Sequence, residues 1–194
     1  MHAIKTILTT EALFSDDGTK RYLLRKEWDN KKHKLAIIML APSSSSGIEL
    51  DTSTQLVINN VTRLGFGSVE ILNLSAMMND FSLKKATPDD KENIDTILNS
   101  SKNADVIVYA PGVGKSKNKT FQQLQEAILR KLAPYEAKLH CLADTDGGSK
   151  FQHPLSPCVR EWHLLPFKIT DLINKEKTPE KNQEPSQKEN NKSQ

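Results

Sequence analysis

Four consecutive serines follow a proline directly after a continuous apolar run, in the segment LAIIMLAPSSSS. Serine hydroxyls and exposed backbone amides near a helix start can bind phosphate oxygens without strong positive charge. The same pattern is equally typical of a tight, capped loop of small residues with a purely structural role. We expect a phosphate-binding set made of the four serines and the serine of the later HPLSP segment: Ser43, Ser44, Ser45, Ser46 and Ser156.

Three further side chains are candidates for chemistry on a nucleobase or nucleotide. His153, before Pro154, could donate a hydrogen bond to a ligand oxygen or stabilise a developing anion, although a loop histidine is more often simply solvated. Asn73 offers both a donor and an acceptor for reading a base edge, or it caps its own turn. Asp51 is the carboxylate nearest to the serines, and it could equally cap a helix.

The segment YAPGVGKS, residues 109–116, resembles the phosphate-binding P-loop, whose pattern is GxxxxGK[ST] after a strand. Tyr109 stands where the first glycine should allow the loop to curl with its amides inward. Five residues, SKNKT, also separate Lys115 from the next apolar stripe. We therefore favour a glycine-rich turn and keep a degenerate P-loop as the less favoured alternative.

These side chains need a scaffold that brings them together. Apolar runs beginning near residues 34, 68, 105 and 138 have the composition of buried strands, and the segments between them have helical periodicity. Residues 11–28 predict a hairpin around a DDG turn. The sequence therefore predicts an α/β fold, a three-layer sandwich with a mostly parallel four-stranded central sheet preceded by an N-terminal β-hairpin.

In such a sheet a ligand lies at the carboxyl ends of the parallel strands. That edge should gather the serine loop, Asn73, the 110–119 loop and the HPLSP segment. Lysines of the same loops would suit a polyanion if they cluster there. These are Lys84, Lys85, Lys115, Lys117 and Lys119. The charges of the hairpin, Arg21, Arg25 and Lys26, are instead expected on its solvated face.

The remaining composition indicates a single domain over residues 1–173 and a disordered polar tail over 174–194. The two cysteines are expected to be core thiols in a reducing cytosol, and no apolar stretch is long enough for a membrane span. We expect a soluble cytoplasmic protein without a metal site or cofactor, because His140 and Cys141 have no second pair at ligand spacing. No protein partner is indicated.

Several segments in order resemble the bacterial and phage domain-of-unknown-function family 1643. They are RYLLRKEW, LAIIMLAPSSSS, the Asp51 region, GFGSVEILNLSAM, ADVIVYAPG and HPLSP, and together they span roughly residues 11–167. That family has no established reaction, so this resemblance by itself implies no activity.

The same order of motifs is more distantly similar to the uracil-DNA glycosylases. The resemblance places residues 40–42 on their water-activating motif, Asn73 on the uracil-reading amide, and residues 153–157 on the loop that supplies a histidine and wedges the duplex. It implies a glycosylase-like fold that binds a nucleobase, nucleotide or nucleic acid. Ala41 stands where glycosylases carry Asp or Asn, and alanine cannot activate water. A glycosylase-like hydrolase and a non-catalytic nucleic-acid-binding module therefore both remain open.

Overall fold

The structure is a computed structural model that describes residues 1–43 and 47–173. The strands are β1 (Thr9–Phe14), β2 (Arg21–Glu27), β3 (Lys34–Met39), β4 (Ser68–Asn73), β5 (Val106–Tyr109), β6 (Leu139–Ala143) and β7 (His163–Pro166). The helices are α1 (Thr52–Arg63), α2 (Lys91–Asn103), α3 (Lys119–Leu132) and the single turn α4 (Thr170–Ile173). Short 3-10 helices cover Ala133–Lys138 and Pro157–Val159.

All seven strands form one mixed sheet in the order β1-β2-β4-β3-β5-β6-β7. The central strands β4, β3, β5 and β6 are parallel, whereas the hairpin and β7 are antiparallel to their neighbours. The α/β class is therefore confirmed, but the predicted four-stranded sheet was too small. The hairpin extends the sheet because β2 pairs with β4, and the sequence analysis missed β7, a four-residue strand that ends at a proline.

Helices cover both faces of the sheet and bury two separate apolar clusters. On one face Val57 and Val61 of α1 pack with Trp162 against alternate strand residues such as Ile37 and Ile71. On the other face α2 and α3 pack against the strand residues that alternate with this first set, including Ile38 and Leu72. This alternation explains why β3 has no polar position after Lys34: both of its faces are buried.

The hairpin differs from the sequence prediction in where its charges lie. Arg21 and Lys26 are each only 1% exposed, and of these three charges Arg25 alone is partly exposed, where it pairs with Glu70 and Glu11. The Lys26 ammonium donates to the Thr10 hydroxyl, 2.9 Å away, and to the Gly47 carbonyl. The prediction failed because β2 is an interior strand of the sheet, and the segment that contains Gly47 covers one of its faces.

Some predictions concern features of the chain as a whole. No helix in the described ranges has the length and apolar character needed to cross a bilayer. Within the same ranges, no group of histidine, cysteine and acidic side chains is arranged to hold a metal ion. Cys141 is buried as expected, whereas Cys158 is exposed. The predicted disordered tail, residues 174–194, and Ser44–Ser46 lie outside the described residues.

Candidate functional site

A pocket of about 540 Å³ lies at the carboxyl ends of the parallel strands, and we call it the carboxyl-edge pocket. Its walls come from the loops after β3, β5 and β6, from the first turn of α1, and from one residue of the loop after β4. Most of the lining is apolar. The lining residues are Met39, Leu40, Ala41, Ser43, Asp51, Thr52, Ser53, Phe81, Pro111, Gly112, Val113, Gly114, Lys115, His153, Leu155 and Ser156.

His153 is held in one orientation by its own loop. The Leu155 N–H donates to His153 Nδ1 at 3.2 Å, and the Ser156 N–H donates to the His153 carbonyl at 2.8 Å. Because Nδ1 is an acceptor, the neutral ring carries its proton on Nε2, which can then donate to a ligand. Burial lowers the pKa of His153 below its ordinary value of 6.5, and attraction to Asp51 opposes this shift.

Gly112, in the loop after β5, lies directly against this histidine. Its φ of 83° is in the left-handed region, and a Cβ at this position would stand 3.1 Å from His153 Cβ. A side chain here would therefore strain the backbone and push the imidazole away. Gly112, which stands at a variable position of the P-loop pattern, is therefore needed for the approach of two loops.

Asp51 carries two structural interactions at the pocket wall. One carboxylate oxygen accepts the Thr54 N–H at 2.6 Å, which caps α1, and the other accepts the Ser43 hydroxyl. The predicted cap is therefore present. Asp51 also attracts the buried guanidinium of Arg21, whose pKa is lowered to about 10 by burial, with Asp51 acting in the opposite direction.

Asn73 is beside the pocket but does not line it. Its backbone pairs in register with that of Met39, a lining residue, and the alternation of β4 places both side chains on the α1 face of the sheet. The Asn73 side chain is 1% exposed, and neither its oxygen nor its nitrogen has a hydrogen-bond partner. Leaving two buried polar atoms unsatisfied costs about 1–3 kcal/mol for each group.

Phe81 is a lining residue that the sequence analysis missed. It is 50% exposed, on the long loop after β4. Two residues later Leu83 adopts a φ of 60° while its side chain is buried in the α2 and α3 cluster. Phe151, two residues before His153, combines the same φ with ring contacts to Tyr109 and Phe167. Bulky residues rarely adopt a left-handed backbone conformation, because it is strained. The packing of Leu83 and Phe151 must therefore stabilise this conformation, and it fixes the two pocket loops at an energetic cost.

A buried amide ties the segment after the histidine loop to α1. Asn60 donates to the carbonyls of Leu56 and Arg160, at 3.0 and 3.1 Å, and accepts the Trp162 N–H at 3.0 Å. The loop that carries His153 is therefore connected through this segment to the helix that carries Asp51. Asn60 shares the buried face of α1 with Val57 and Val61, whereas its neighbour Asn59 is exposed.

The P-loop alternative receives little support from the position of its lysine. Lys115 lines the pocket, but α3 begins only at Lys119, with Asn118 as its cap. A P-loop lysine stands at the start of its helix, so the amides of α3 do not surround the position near Lys115. Exposed Lys84 and Lys85 follow Phe81, and their N–H groups donate to Asp80.

The structure thus brings four predicted site residues into one pocket: His153, Asp51, Ser43 and Ser156. Asn73 lies behind the wall. Phe81 could have been found only from tertiary structure, because an aromatic residue in a polar loop has no periodic signal.

A second cavity of about 620 Å³, between the hairpin turn and α2, has an acidic lining that includes Asp17, Glu92 and Asp95. Such a lining suits an anionic ligand poorly.

The fold and the pocket define an α/β protein with a pocket at the carboxyl edge of its parallel strands, where proteins of this class bind ligands. Residues 21–155 match the family described as a protein of unknown function, DUF1643, and the chain belongs to that family. The match includes every lining residue of the pocket except Ser156. The chain has no significant match among curated proteins or solved structures.

Proposed function

We propose that the carboxyl-edge pocket binds a nucleobase carried by a nucleotide or nucleic-acid strand, in the manner of the uracil-DNA glycosylases that the sequence resembles. The observation that carries the proposal is His153, whose Nε2 is left to donate inside a largely apolar pocket. A base presents flat apolar faces and polar edges, so it needs this combination of apolar walls and few, oriented polar groups.

The apolar walls supply contacts for the faces of the base. Leu40, Pro111 and Val113 line the pocket, and Phe81 adds an aromatic ring at a half-exposed position. Stacking of a base on an aromatic ring contributes about 1–3 kcal/mol to binding. Leu155 of the HPLSP segment is 42% exposed at the same site. In the resemblance to the glycosylases, this segment corresponds to the loop that wedges the duplex.

The charges around the pocket suit the phosphates of such a ligand. Lys115 is in the wall, and exposed Lys84, Lys85, Lys117 and Lys119 belong to loops or a helix start at the same edge of the sheet. Contacts of lysine with phosphates weaken as the salt concentration rises. Binding to a polynucleotide should therefore depend on salt, whereas binding to a free base should not.

The unsatisfied amide of Asn73 supports a base-reading role. Buried polar atoms without partners need an explanation, and a ligand that supplies the missing hydrogen bonds is one. Met39 is its register partner and lines the pocket, and methionine side chains change conformation readily. In this proposal a bound base displaces the Met39 side chain and reaches Asn73.

Two observations favour binding without hydrolysis. Ala41 lines the pocket where the glycosylase pattern has a water-activating side chain, and both oxygens of Asp51 already accept hydrogen bonds from Thr54 and Ser43. A general base needs an oxygen directed at water. The second candidate, glycosylase-like hydrolysis of a base from its sugar, has one favourable observation: the charge of Asp51 acts on His153.

Fluorescence polarisation with labelled single-stranded and double-stranded DNA and RNA, at low and high salt, tests the proposal. We expect His153→Gln and Lys115→Ala to weaken binding by about threefold to tenfold, since each removes one charged or oriented contact. The matched control is Lys131→Ala, an exposed lysine in the last turn of α3, at the opposite edge of the sheet. This control should bind as the wild type does.

Absence of binding at low salt would overturn the proposal, and so would equal affinity of all three variants with the wild type. Release of a free base from any of these oligonucleotides, lost in Asp51→Ala but not in Lys131→Ala, would establish the hydrolytic candidate instead. Stabilisation of the protein by ATP with magnesium alone, lost in Lys115→Ala, would favour the P-loop alternative.

A further inference from the structure

Strand β1 forms one edge of the sheet and is poorly protected against pairing with another strand. Its only strand neighbour in the described part of the chain is β2. Natural edge strands usually carry lysines, prolines or bulges that discourage pairing. The strand TTEALF has no lysine or proline, its one charged residue is Glu11, and its irregularity lies only at the far end, between Leu13 and Phe14.

The eight residues that precede β1 expose apolar side chains to solvent. Residues 1–8 are exposed throughout, and Ile4, Ile7 and Leu8 are 84%, 72% and 47% exposed. A shallow groove of about 590 Å³ runs beside β1, and the apolar side chains of Ala12, Phe14 and Ile48 line it together with Thr10, Gly47 and Glu49. Ile48 itself is 98% exposed. Apolar residues gathered in this way at a sheet edge indicate an interaction surface.

We propose that residues 2–14 pair antiparallel with the same residues of a second copy of this chain, about a two-fold axis at Leu8. In this arrangement Leu8 faces Leu8 of the second copy, and each residue faces the one at the same distance on the other side of the axis. Lys5 then faces Glu11, and Ile4 faces Ala12. A two-fold interface requires such a self-complementary sequence.

The faces of β1 agree with this register. Ala12 is opposite Leu24 in the hairpin, so its side chain lies on the α1 face, where the groove is. Directly opposed residues in an antiparallel pair share a face. Ile4 of the second copy would therefore enter the groove beside Ala12.

The same register places Lys5 of the second copy on the other face of the sheet. There it would join Glu11, whose carboxylate is 2.9 Å from Arg25. Opposite charges that face each other across a strand pair stabilise it, and like charges destabilise it.

Disulfide trapping tests the register directly. With the exposed Cys158 replaced by serine, Leu8→Cys should oxidise readily to a covalent dimer. Facing residues have Cα atoms about 4.5–5.5 Å apart, within the range that a disulfide spans. Thr6→Cys is the matched control, because the two copies of residue 6 would be about 13 Å apart along the strands. A mixture of Thr6→Cys and Thr10→Cys chains should form the mixed dimer, because those residues face each other.

Sedimentation equilibrium of the full chain tests the interface without a cross-link. We expect a mass twice that of the 21.8 kDa chain at high protein concentration, and Leu8→Lys should raise the dimer dissociation constant at least tenfold by placing two like charges at the axis. Leu8 precedes β1, so this variant should keep the thermal stability of the monomer. A wild-type monomer at every concentration, or equal cross-linking of the residue 6 and residue 8 cysteines, would overturn the proposal. Neither measurement uses a ligand of the pocket.

Discussion

The Cα atom of Gly112 faces the side chain of His153 so closely that a methyl group at position 112 would stand 3.1 Å from His153 Cβ. Two loops that follow different strands, β5 and β6, therefore meet at this contact, and the orientation of the histidine depends on the absence of a side chain on its neighbour.

We expect Gly112→Ala to destabilise the fold by about 1–2 kcal/mol, because alanine must adopt a φ of 83° and the histidine must move. Thermal denaturation measures the loss, and oligonucleotide binding measures the displacement of His153. Gly114→Ala is the control, since a Cβ at position 114 would meet no atom within 4 Å. If the two variants have the same affinity and stability, the contact does not position the histidine.

Asp51 caps α1 and lines the pocket, whereas Asn118 caps α3 and does not line it. A comparison of the two residues therefore separates the effect of losing a helix cap from the effect on ligand binding. Asp51→Ala and Asn118→Ala should each lower the free energy of unfolding by about 1 kcal/mol, because each leaves one N–H of a first turn without its side-chain acceptor. Only Asp51→Ala should also change ligand binding, since it removes a charge from the pocket wall. Chemical denaturation with parallel binding titrations measures both effects. Equal binding by the two variants would assign Asp51 a purely structural role.

The pKa of His153 predicts how stability depends on pH. Burial lowers this pKa in the folded chain below 6.5, so the unfolded chain binds the proton more tightly. The stabilising contribution is fully present above pH 6.5 and is lost as the pH falls from there through the folded pKa. As the pH falls below about 6.5, the free energy of unfolding should therefore fall less steeply in His153→Gln than in the wild type.

The control for this experiment is His163→Gln, which makes the same substitution at an exposed histidine of β7. Urea denaturation at several pH values gives the slopes. Identical slopes for the wild type and His153→Gln would show that the histidine is not buried in its neutral form in solution.

Asn60→Ala should be among the more destabilising substitutions in α1. It removes the acceptor of the Trp162 N–H and leaves the Arg160 carbonyl without its donor, which should cost about 2–4 kcal/mol in total. Asn59→Ala, one residue earlier and exposed, should change the stability by less than about 0.5 kcal/mol. Hydrogen exchange of residues 153–162 should also accelerate in Asn60→Ala alone. An unchanged exchange rate would mean that this amide does not restrain the histidine loop.

The central part of the fold was predictable because its signals are local. The apolar run of β3, the stripe of Phe121, Leu124, Ile128 and Leu132 on α3, and the Asp51 cap all appear in the sequence at the positions where the structure has them. Burial of both faces leaves a strand without polar positions, and a helix buried on one face has a 3.6-residue period. Placing the pocket at the carboxyl edge then follows from the parallel order of the strands.

The features that were missed depend on long-range contacts. Arg21 and Lys26 are charged residues of the kind that a hairpin usually exposes, and their burial follows from the position of β2 inside the sheet and, for Lys26, from the covering segment at Gly47. Phe81 is a single aromatic residue in a polar loop with no periodic partner, and the hydrogen bonds of Asn60 join residues about 100 positions apart in the sequence. The burial of Asn73 also depends on tertiary contacts, since its side chain turns toward the face that α1 covers.

In the described part of the chain, none of the residues that line the carboxyl-edge pocket comes from the edge strands β1 and β7 or from β2. The residues that would contact a ligand are therefore distinct from the residues of these three strands, which stabilise the sheet. Surface substitutions confined to β1 and β7 can be chosen to improve yield or crystal contacts, or to carry a label, without altering the walls that meet a ligand. In a set of random variants, substitutions that abolish binding should be concentrated in the loops after β3, β4, β5 and β6. Substitutions that lower stability should instead be spread over the whole sheet.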